Sequence, residues 1–282
     1  MPYFSKLMPS RKRASDSTLS LVEPQPNPPS SFNSFLAAVT FYTCFPVPAH
    51  LQLDFARIAR WVPLVGVLLG GGLGWLDLGL DWLQMPSLVR SSFLVAIWLW
   101  WTGGLHLDGA MDAADGLAVQ DPERRLTVMA DSVTGAFGAM AAVVIVMLKV
   151  CALSEISHDR IWVLMLVAGW SRWGQVLAIA LYPYLKLQGK GAFHRQGFKL
   201  PQDILLGLAV MLAVTGGQIY LQPHDYLALL LRSAAGCGVA VLTGYYFQRR
   251  FGGQTGDTYG AIVEWSETFI LCLFTIPQNL IH

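Results

Sequence analysis

Long apolar segments recur along the chain, and they constrain its fold more than any other feature. A hydrocarbon core about 30 Å thick needs about 20 consecutive apolar residues in each crossing helix. Only 13% of the residues are charged, against roughly 25% in soluble domains. We therefore predict an all-α polytopic integral membrane protein. Seven segments are predicted to cross the membrane: 61–83, 87–105, 135–154, 161–182, 203–221, 227–248 and 260–281.

A shorter apolar segment, 33–47, precedes these seven and ends in the breaker run Pro46-Val47-Pro48. About 15 residues are too few for a typical crossing, so we predict a short N-terminal re-entrant or interfacial helix. Residues 1–31 are rich in Ser, Pro and charge and lack the apolar core, about 7–15 residues long, of a secretory signal. We predict a disordered cytoplasmic tail there, followed by a single transmembrane catalytic domain over residues 32–282.

The basic residues are unevenly distributed between the loops. If 33–47 does not cross, most of the 19 Lys and Arg residues fall on one side, which carries the loops 106–134, 183–202 and 249–259. Because cytoplasmic loops carry an excess of Lys and Arg, we predict an inner-membrane protein whose active site faces the cytoplasm. Membrane lipid is an expected partner. The formal net charge of +1 gives no polybasic character, so nucleic acid is not an expected partner.

Apart from Arg90, which lies just inside the start of its helix, three basic residues fall inside predicted spans. Lys149 and Arg232 lie close to the outer ends of their predicted spans. Their long side chains are predicted to snorkel to the membrane interface. Arg172 lies near the middle of its span, in Ser171-Arg172-Trp173. A charge at that depth is costly and usually faces the bundle interior or a polar cavity. Arg172 is therefore a candidate substrate-binding residue.

The densest group of chemically active residues is GGLHLDGAMDAADG (103–116). Asp108, Asp112 and Asp115 are spaced i, i+4 and i+7, which places all three on one face of a helix. Three stacked like charges repel one another unless they are solvated or surround a cation. Hard carboxylate oxygens suit Mg²⁺, which also takes ligands from substrate phosphates. We predict that these aspartates bind Mg²⁺; a solvated acidic helix end is the alternative.

A second acidic group lies in GGQTGDTYGAIVEWSE (252–267). Gly253 and Gly256 belong to a glycine-rich turn of the kind that forms anion nests, and Asp257 could complete a metal site. Glu264 lies in apolar sequence, where a carboxylate is expensive unless it is paired. Gly253, Gly256 and Glu264 are thus candidate substrate-binding residues, and Asp257 is a fourth candidate metal ligand. Solvation at a helix end is again the alternative.

Basic residues of the 183–202 loop give a weaker signal. Lys190 and Arg195 lie among glycines, and a flexible basic loop opposite a Mg²⁺ site suits phosphate binding. They are candidate substrate-binding residues, although the positive-inside rule alone accounts for the same charges. Asp131 can simply cap the following helix, and a lone histidine such as His106 is more often structural than catalytic.

Clustered aspartates and glycines at a membrane face, opposite basic loops, indicate phosphoryl or nucleotidyl transfer. Mg²⁺ would neutralise a diphosphate, and a further carboxylate could accept the proton of an attacking hydroxyl. A lipid-forming CDP-alcohol phosphotransferase is one alternative, but its first Asp pair and Ala-Arg step are absent, which leaves only a shortened DGxxDxxDG. A cation transporter is less favoured, because it predicts mid-span acids in paired repeats.

Five stretches follow one another in order over residues 34–270: FLAAVTFYTCFPVP (35–48), VPLVGVLLG (62–70), TGGLHLDGAMDAADG (102–116), ADSVTGAFG (130–138) and GGQTGDTYGAIVEWSE (252–267). Together they resemble the cobalamin synthase family, the adenosylcobinamide-GDP ribazoletransferases. One departure from the family pattern is Val133, where a basic residue is expected after Asp131-Ser132.

The resemblance implies the last assembly step of the cobalamin nucleotide loop. In that reaction the 3′-hydroxyl of α-ribazole, or of its 5′-phosphate, attacks the cobinamide-linked phosphate of adenosylcobinamide-GDP and releases GMP, with Mg²⁺ required. The four aspartates named above would bind metal and diphosphate, and Asp131 and His106 would contact substrate or handle the proton. Further expected partners are a second copy of this chain or other cobalamin-assembly enzymes.

Overall fold

The computed structural model describes residues 31–186 and 197–276. Within these ranges the chain forms α-helices, two short 3₁₀ helices and one isolated backbone bridge, which confirms the all-α class. The 3₁₀ helices are Ile58–Trp61 and Pro223–Asp225. The α-helices are α1 (Ser31–Tyr42), α2 (Val62–Trp82), α3 (Ser87–Trp101), α4 (Leu105–Ala118), α5 (Pro122–Val128), α6 (Ala136–Glu155), α7 (Arg160–Leu181), α8 (Gln202–Leu221), α9 (Tyr226–Phe251) and α10 (Gly256–Phe274).

Five helical segments of the described chain are long and apolar enough to cross a membrane, which confirms a polytopic membrane protein. They are Ile58–Trp82, Ala136–Glu155, Arg160–Leu181, Gln202–Leu221 and Pro223–Phe251. The count rises to six if α3 and α4, which meet at an 89° bend, are taken as one broken span. The predicted number of seven is not confirmed, because α3 has only 15 residues and α10 carries three acidic residues.

Helix α7 is the central helix, with 83% of its apolar window buried. Helix α2 packs against it through Gly66, Gly70 and Gly74, which are spaced four residues apart. A Cβ at Gly66 would lie 2.3 Å from the Ala168 carbonyl oxygen, and one at Gly70 would lie 2.2 Å from that of Leu164. The two backbones are therefore in contact, as is usual where small residues repeat at membrane helix interfaces.

The short helix predicted within 33–47 is present as α1, which has 12 residues and ends at Tyr42. Ala37, Ala38 and Tyr42 are buried in the described fold. The Cys44 amide that follows α1 donates to the Trp101 carbonyl at the end of α3, at 2.7 Å. This contact brings the end of α1 to the point where α3 gives way to α4.

Charged side chains at the other end of the bundle are paired. Asp77 of α2 is 3% exposed and forms ion pairs with Arg90 of α3, at 2.8 Å, and Arg160 of α7, at 3.1 Å. Arg90 also pairs with Asp81. These contacts tie the ends of three helices together far from the acidic motifs.

Candidate active site

Two left-handed glycines set the direction of α4. Gly103 and Gly104 have φ values of +61° and +68°, a region that residues with a side chain rarely adopt. They terminate α3, and Gly104 is the N-cap of α4. The chain turns through 89° at this point, and α4 alone is too short and too polar to cross. Taken alone, α4 is therefore not one of the crossing helices.

The two acidic motifs meet where α4 crosses α10. A Cβ at Gly109 would lie 2.6 Å from the Asp257 carbonyl oxygen, and one at Gly260 would lie 2.9 Å from that of His106. Only glycine at both positions allows the helix backbones to come this close. The crossing places Asp257 directly against the helix that carries Asp108 and Asp112.

The turn before α10 is built to hold Asp257 at a helix start. Gly252, at φ +77°, ends α9. Thr255 then caps α10 by accepting a hydrogen bond from the Thr258 amide, while the Thr258 hydroxyl accepts one from the Thr255 amide. Asp257 lies in the first turn, where a negative charge is favourable. Its carboxylate pairs with Lys186 at 2.9 Å.

A cavity of about 130 Å³ opens between α1, α4, α7 and α10. Asp108 and Asp257 both line it, so the structure brings one residue of each acidic motif to the same space. Gly256 lies on the wall of this cavity as well. Its other lining residues are Phe41, Tyr42, Leu105, His106, Gly109, Gln175, Tyr259 and Gly260.

Asp112 lies one helical turn after Asp108 and is partly buried. Its burial, and then the negative charges of Asp108, Asp257 and Asp115, raise the pKa of the Asp112 carboxyl from 3.8 to about 6. The charged form of Asp112 is therefore destabilised in the protein without a cation. This is the repulsion expected from stacked carboxylates, and a bound divalent cation would relieve it.

Asp115 has a structural partner that the sequence did not indicate. One carboxylate oxygen accepts a hydrogen bond from the Gly135 amide and the other accepts one from the Gly138 amide, both at 2.8 Å. These amides belong to the first turn of α6 and its N-cap, which have no partners within their own helix. Asp115 thus fastens α4 to the start of α6.

The acidic residues at the helix crossing are oxygen donors of the kind that Mg²⁺ prefers. Among residues 31–186 and 197–276, no three His, Cys, Asp or Glu side chains are arranged closely enough to form a ready-made metal site. The carboxylates of Asp108, Asp112 and Asp257 are nevertheless hard oxygen donors within electrostatic reach of one another. They fit an ion such as Mg²⁺, which takes one or two carboxylates and completes its shell with water and phosphate.

A buried ion-pair cluster lies beneath the cavity. Lys149 of α6 contacts Glu264 and Glu267 of α10, each at 2.5 Å, and Arg172 of α7 contacts Glu267 at 2.6 Å. All four side chains are at most 3% exposed. The predicted snorkelling of Lys149 is therefore wrong, because two carboxylates on a neighbouring helix hold it inside.

The same cluster accounts for two candidate substrate-binding residues. Arg172 faces the bundle interior, as predicted, and Glu264 is paired, as a carboxylate in apolar sequence must be. Both are engaged with protein charges in this structure. Neither Arg172 nor Glu264 lines the cavity.

Other predicted residues lie around the site or outside the described chain. Gly253 packs against the 183–185 segment, where a Cβ would lie 2.8 Å from the Pro183 carbonyl oxygen. Asp131 is exposed in the turn before α6, where its carboxylate accepts a hydrogen bond from the Val133 amide. Lys190 and Arg195 fall outside the described residues.

Three polar side chains that line the cavity were not predicted from the sequence. Tyr42, Gln175 and Tyr259 come from α1, α7 and α10 and meet only in the folded protein. The one available signal was Gln175, an amide inside a long apolar helix, since such a group needs a polar partner. The aromatic residues are indistinguishable in the sequence from ordinary membrane-embedded ones.

The comparison with protein families decides the assignment. The model of the family described as cobalamin-5-phosphate synthase matches residues 34–275, which include both acidic motifs and every cavity-lining residue. The chain belongs to the cobalamin-5-phosphate synthase family. The resemblance noted from the ordered motifs is thereby confirmed. No solved structure matches the chain significantly.

Several curated relatives of this family member are named adenosylcobinamide-GDP ribazoletransferase. A protein of Trichormus variabilis named adenosylcobinamide-GDP ribazoletransferase is 54% identical over 243 residues, covering 86% of this chain and 96% of its own length. A protein of the same name from Synechocystis is 48% identical, and the match covers 83% of this chain and 91% of that protein. Another, from Desulfitobacterium hafniense, is 35% identical, and the match covers 86% of this chain and 96% of that protein.

Proposed function

We propose that this protein joins adenosylcobinamide-GDP to α-ribazole, or to α-ribazole 5′-phosphate, and releases GMP. The observation that carries the proposal is the convergence of the acidic face of α4 with Asp257 of α10 beside one cavity. Family membership supplies the substrates, and the carboxylates supply a site for a diphosphate bound with a cation. The relatives covered almost end to end by this chain have that activity in their names.

The reaction forms one phosphorus–oxygen bond and breaks another at the same phosphorus. The 3′-hydroxyl oxygen of the ribazole forms a bond to the phosphorus attached to cobinamide. The bond from that phosphorus to the bridging oxygen of the diphosphate breaks, and GMP leaves with the bridging oxygen. The hydroxyl proton passes to a base. Asp108 lines the cavity, which favours it over the exposed Asp131 for contact with this hydroxyl. His106 lines the same cavity and is available to contact the substrate.

We propose Asp108, Asp112 and Asp257 as the residues that hold Mg²⁺. The ion would supply positive charge to the diphosphate and to the leaving GMP. Asp115 is proposed to keep these ligands in place, since both its oxygens fasten α4 to α6. Lys186 lies at the same edge through its contact with Asp257 and is available to meet a phosphate.

We further infer that the site faces the cytoplasm from the inner membrane. In the described chain, several basic residues lie at the site end of the helices, among them Arg125, Lys186, Arg249 and Arg250. In a cysteine-free variant, Gln120→Cys should be inaccessible to an impermeant maleimide in intact cells, while His224→Cys at the other end should label. Labelling of Gln120→Cys alone would reverse the orientation.

The direct test of activity uses the purified protein in nanodiscs with Mg²⁺, α-ribazole and adenosylcobinamide-GDP. Stoichiometric formation of a complete corrinoid and GMP is expected, and chelation of Mg²⁺ should abolish it. CDP-linked alcohols serve as control substrates and should give no product. Asp225→Asn is the control variant, because Asp225 is an exposed carboxylate at the opposite end of α9. Turnover of CDP-linked alcohols without corrinoid product would refute the proposal.

A further inference from the structure

Two buried polar side chains in the cavity have hydrogen-bonding capacity left over. His106 is 2% exposed, and neither ring nitrogen has a hydrogen-bond partner within the described part of the chain. Gln175 is 3% exposed, and its Oε1 atom likewise has no partner there. Buried polar groups are nearly always satisfied in native proteins. Because both residues line the cavity, a molecule that enters it can supply the missing partners.

The volume of the cavity limits what can enter. At about 130 Å³ it is close to the cavity of roughly 150 Å³ that takes one benzene ring. A corrin macrocycle is far too large for this space. A planar heterocycle of one or two rings has a volume that suits the cavity, and the rest of its molecule would extend through the cavity mouth.

The lining favours an aromatic occupant with few polar atoms. Phe41, Tyr42, Tyr259 and Leu105 are the aromatic and aliphatic side chains that line the cavity together with His106 and Gln175. Aromatic rings and aliphatic carbons bind a flat apolar ring well. Guanine carries several donors and acceptors on one edge, and once Asp108 and Asp257 are assigned to the cation it would need more polar partners than His106 and Gln175 provide. The benzimidazole of α-ribazole has one free ring nitrogen, which needs one donor.

The location of the carboxylates fits the same occupant. Asp108 lies two residues after His106 and lines the cavity together with Asp257. A base held beside His106 leaves its ribose next to these carboxylates, where the attacking hydroxyl is required. Gln175 also hydrogen-bonds the hydroxyl of Tyr42, so it holds one wall of the cavity, and its Oε1 atom has no partner within the described chain.

We propose that this cavity is the pocket for the heterocyclic base of the nucleoside acceptor. His106 donates a hydrogen bond to the free ring nitrogen, Gln175 accepts one from the ribose, and Tyr42 limits the size of the base. The inference rests on the proposed function, because the nucleoside acceptor is the one named there. It adds which residues select the base.

The test compares α-ribazole with an indole nucleoside in which a CH group replaces the free ring nitrogen. Binding to the nanodisc-embedded protein is measured by equilibrium dialysis, so the readout does not depend on turnover. The wild type should bind the indole nucleoside roughly 5- to 100-fold more weakly, the range for a buried donor left without its acceptor. His106→Leu should bind the two nucleosides equally. The same substitution at exposed His224 should leave the discrimination unchanged.

Steady-state kinetics identify which of the two substrates occupies the cavity. Gln175→Leu should raise KM for α-ribazole, and so should Tyr42→Phe, because it removes the hydroxyl that holds Gln175. Both variants should leave KM for adenosylcobinamide-GDP and inhibition by GMP within about twofold. Tyr42→Phe keeps the ring and serves if Gln175→Leu fails to fold. Weaker GMP inhibition in these variants would place guanine in the cavity and overturn the proposal, as would equal binding of both nucleosides by the wild type. A wild type that binds α-ribazole selectively but forms no corrinoid product would refute only the proposed reaction.

Discussion

Removal of Lys149 offers a quantitative test of the buried cluster. Lys149 is 1% exposed and contacts Glu264 and Glu267, each at 2.5 Å. Lys149→Met keeps the length of the side chain but leaves two buried carboxylates with one cation, Arg172. Breaking a buried ion pair by deleting one partner costs about 3–5 kcal/mol. With a shift of about 2–4 °C per kcal/mol, Tm should fall by roughly 6–20 °C.

A second substitution separates charge balance from lost packing. Lys149→Met combined with Glu264→Gln leaves Arg172 paired with Glu267 and removes the unpaired charge. Because neutral replacement of a whole buried pair is often nearly neutral in stability, the double variant should recover most of the lost Tm. Thermal unfolding in one detergent, followed by intrinsic fluorescence, measures both variants.

Lys186→Met is the matched control. The side chains of Lys186 and Asp257 are 28% and 25% exposed. Ion pairs accessible to solvent contribute about 0–1 kcal/mol to stability. Its Tm should therefore stay within a few degrees of the wild type. If Lys149→Met shifts Tm no more than Lys186→Met, or if Glu264→Gln worsens the loss, the cluster does not stabilise the bundle as described.

Two further predictions concern the helix crossing and its charges. Burial and the charges of Asp108, Asp257 and Asp115 raise the Asp112 pKa from 3.8 to about 6, so this carboxyl costs stability increasingly as pH rises through that window. Without Mg²⁺, Asp112→Asn should raise Tm at neutral pH, less so toward pH 3.8, and should abolish the Tm increase that Mg²⁺ gives the wild type. Gly109→Ala should lower both activity and Tm, because its Cβ would meet the Asp257 carbonyl oxygen at 2.6 Å, whereas Gly79→Ala, with open space around it, should be neutral or slightly stabilising.

The helices and the acidic face of α4 were predictable because they depend on short-range periodicity. Apolar runs of about 20 residues identify crossing helices, and the predicted segments agree closely with α2, α6, α7, α8 and α9. The sharp turn into α4 was not predicted. Gly103 and Gly104 indicate a break, but the 89° direction depends on contacts with α1 and α10 that no local pattern contains.

Partnerships between distant residues were the part that could not be predicted. Lys149 and Glu264 are separated by more than a hundred positions, and a lysine near a helix end has the same pattern whether it snorkels or is paired inside. Asp115 satisfies the periodicity of a metal ligand, yet its oxygens accept hydrogen bonds from the start of α6. Tyr42 and Gln175 reach the cavity only through packing of α1 and α7.

The most direct test of a single shared site is a double-variant cycle between its two acidic motifs. Asp112→Asn and Asp257→Asn should each lower kcat/KM about a hundredfold or more, the scale of losing one electrostatic contact with the transition state. Groups that act as one unit lose activity non-additively. The double variant should therefore be within about tenfold of the worse single variant, with membrane insertion unchanged. Fully multiplicative losses would contradict the account and make Asp257 a turn residue that serves no common ion.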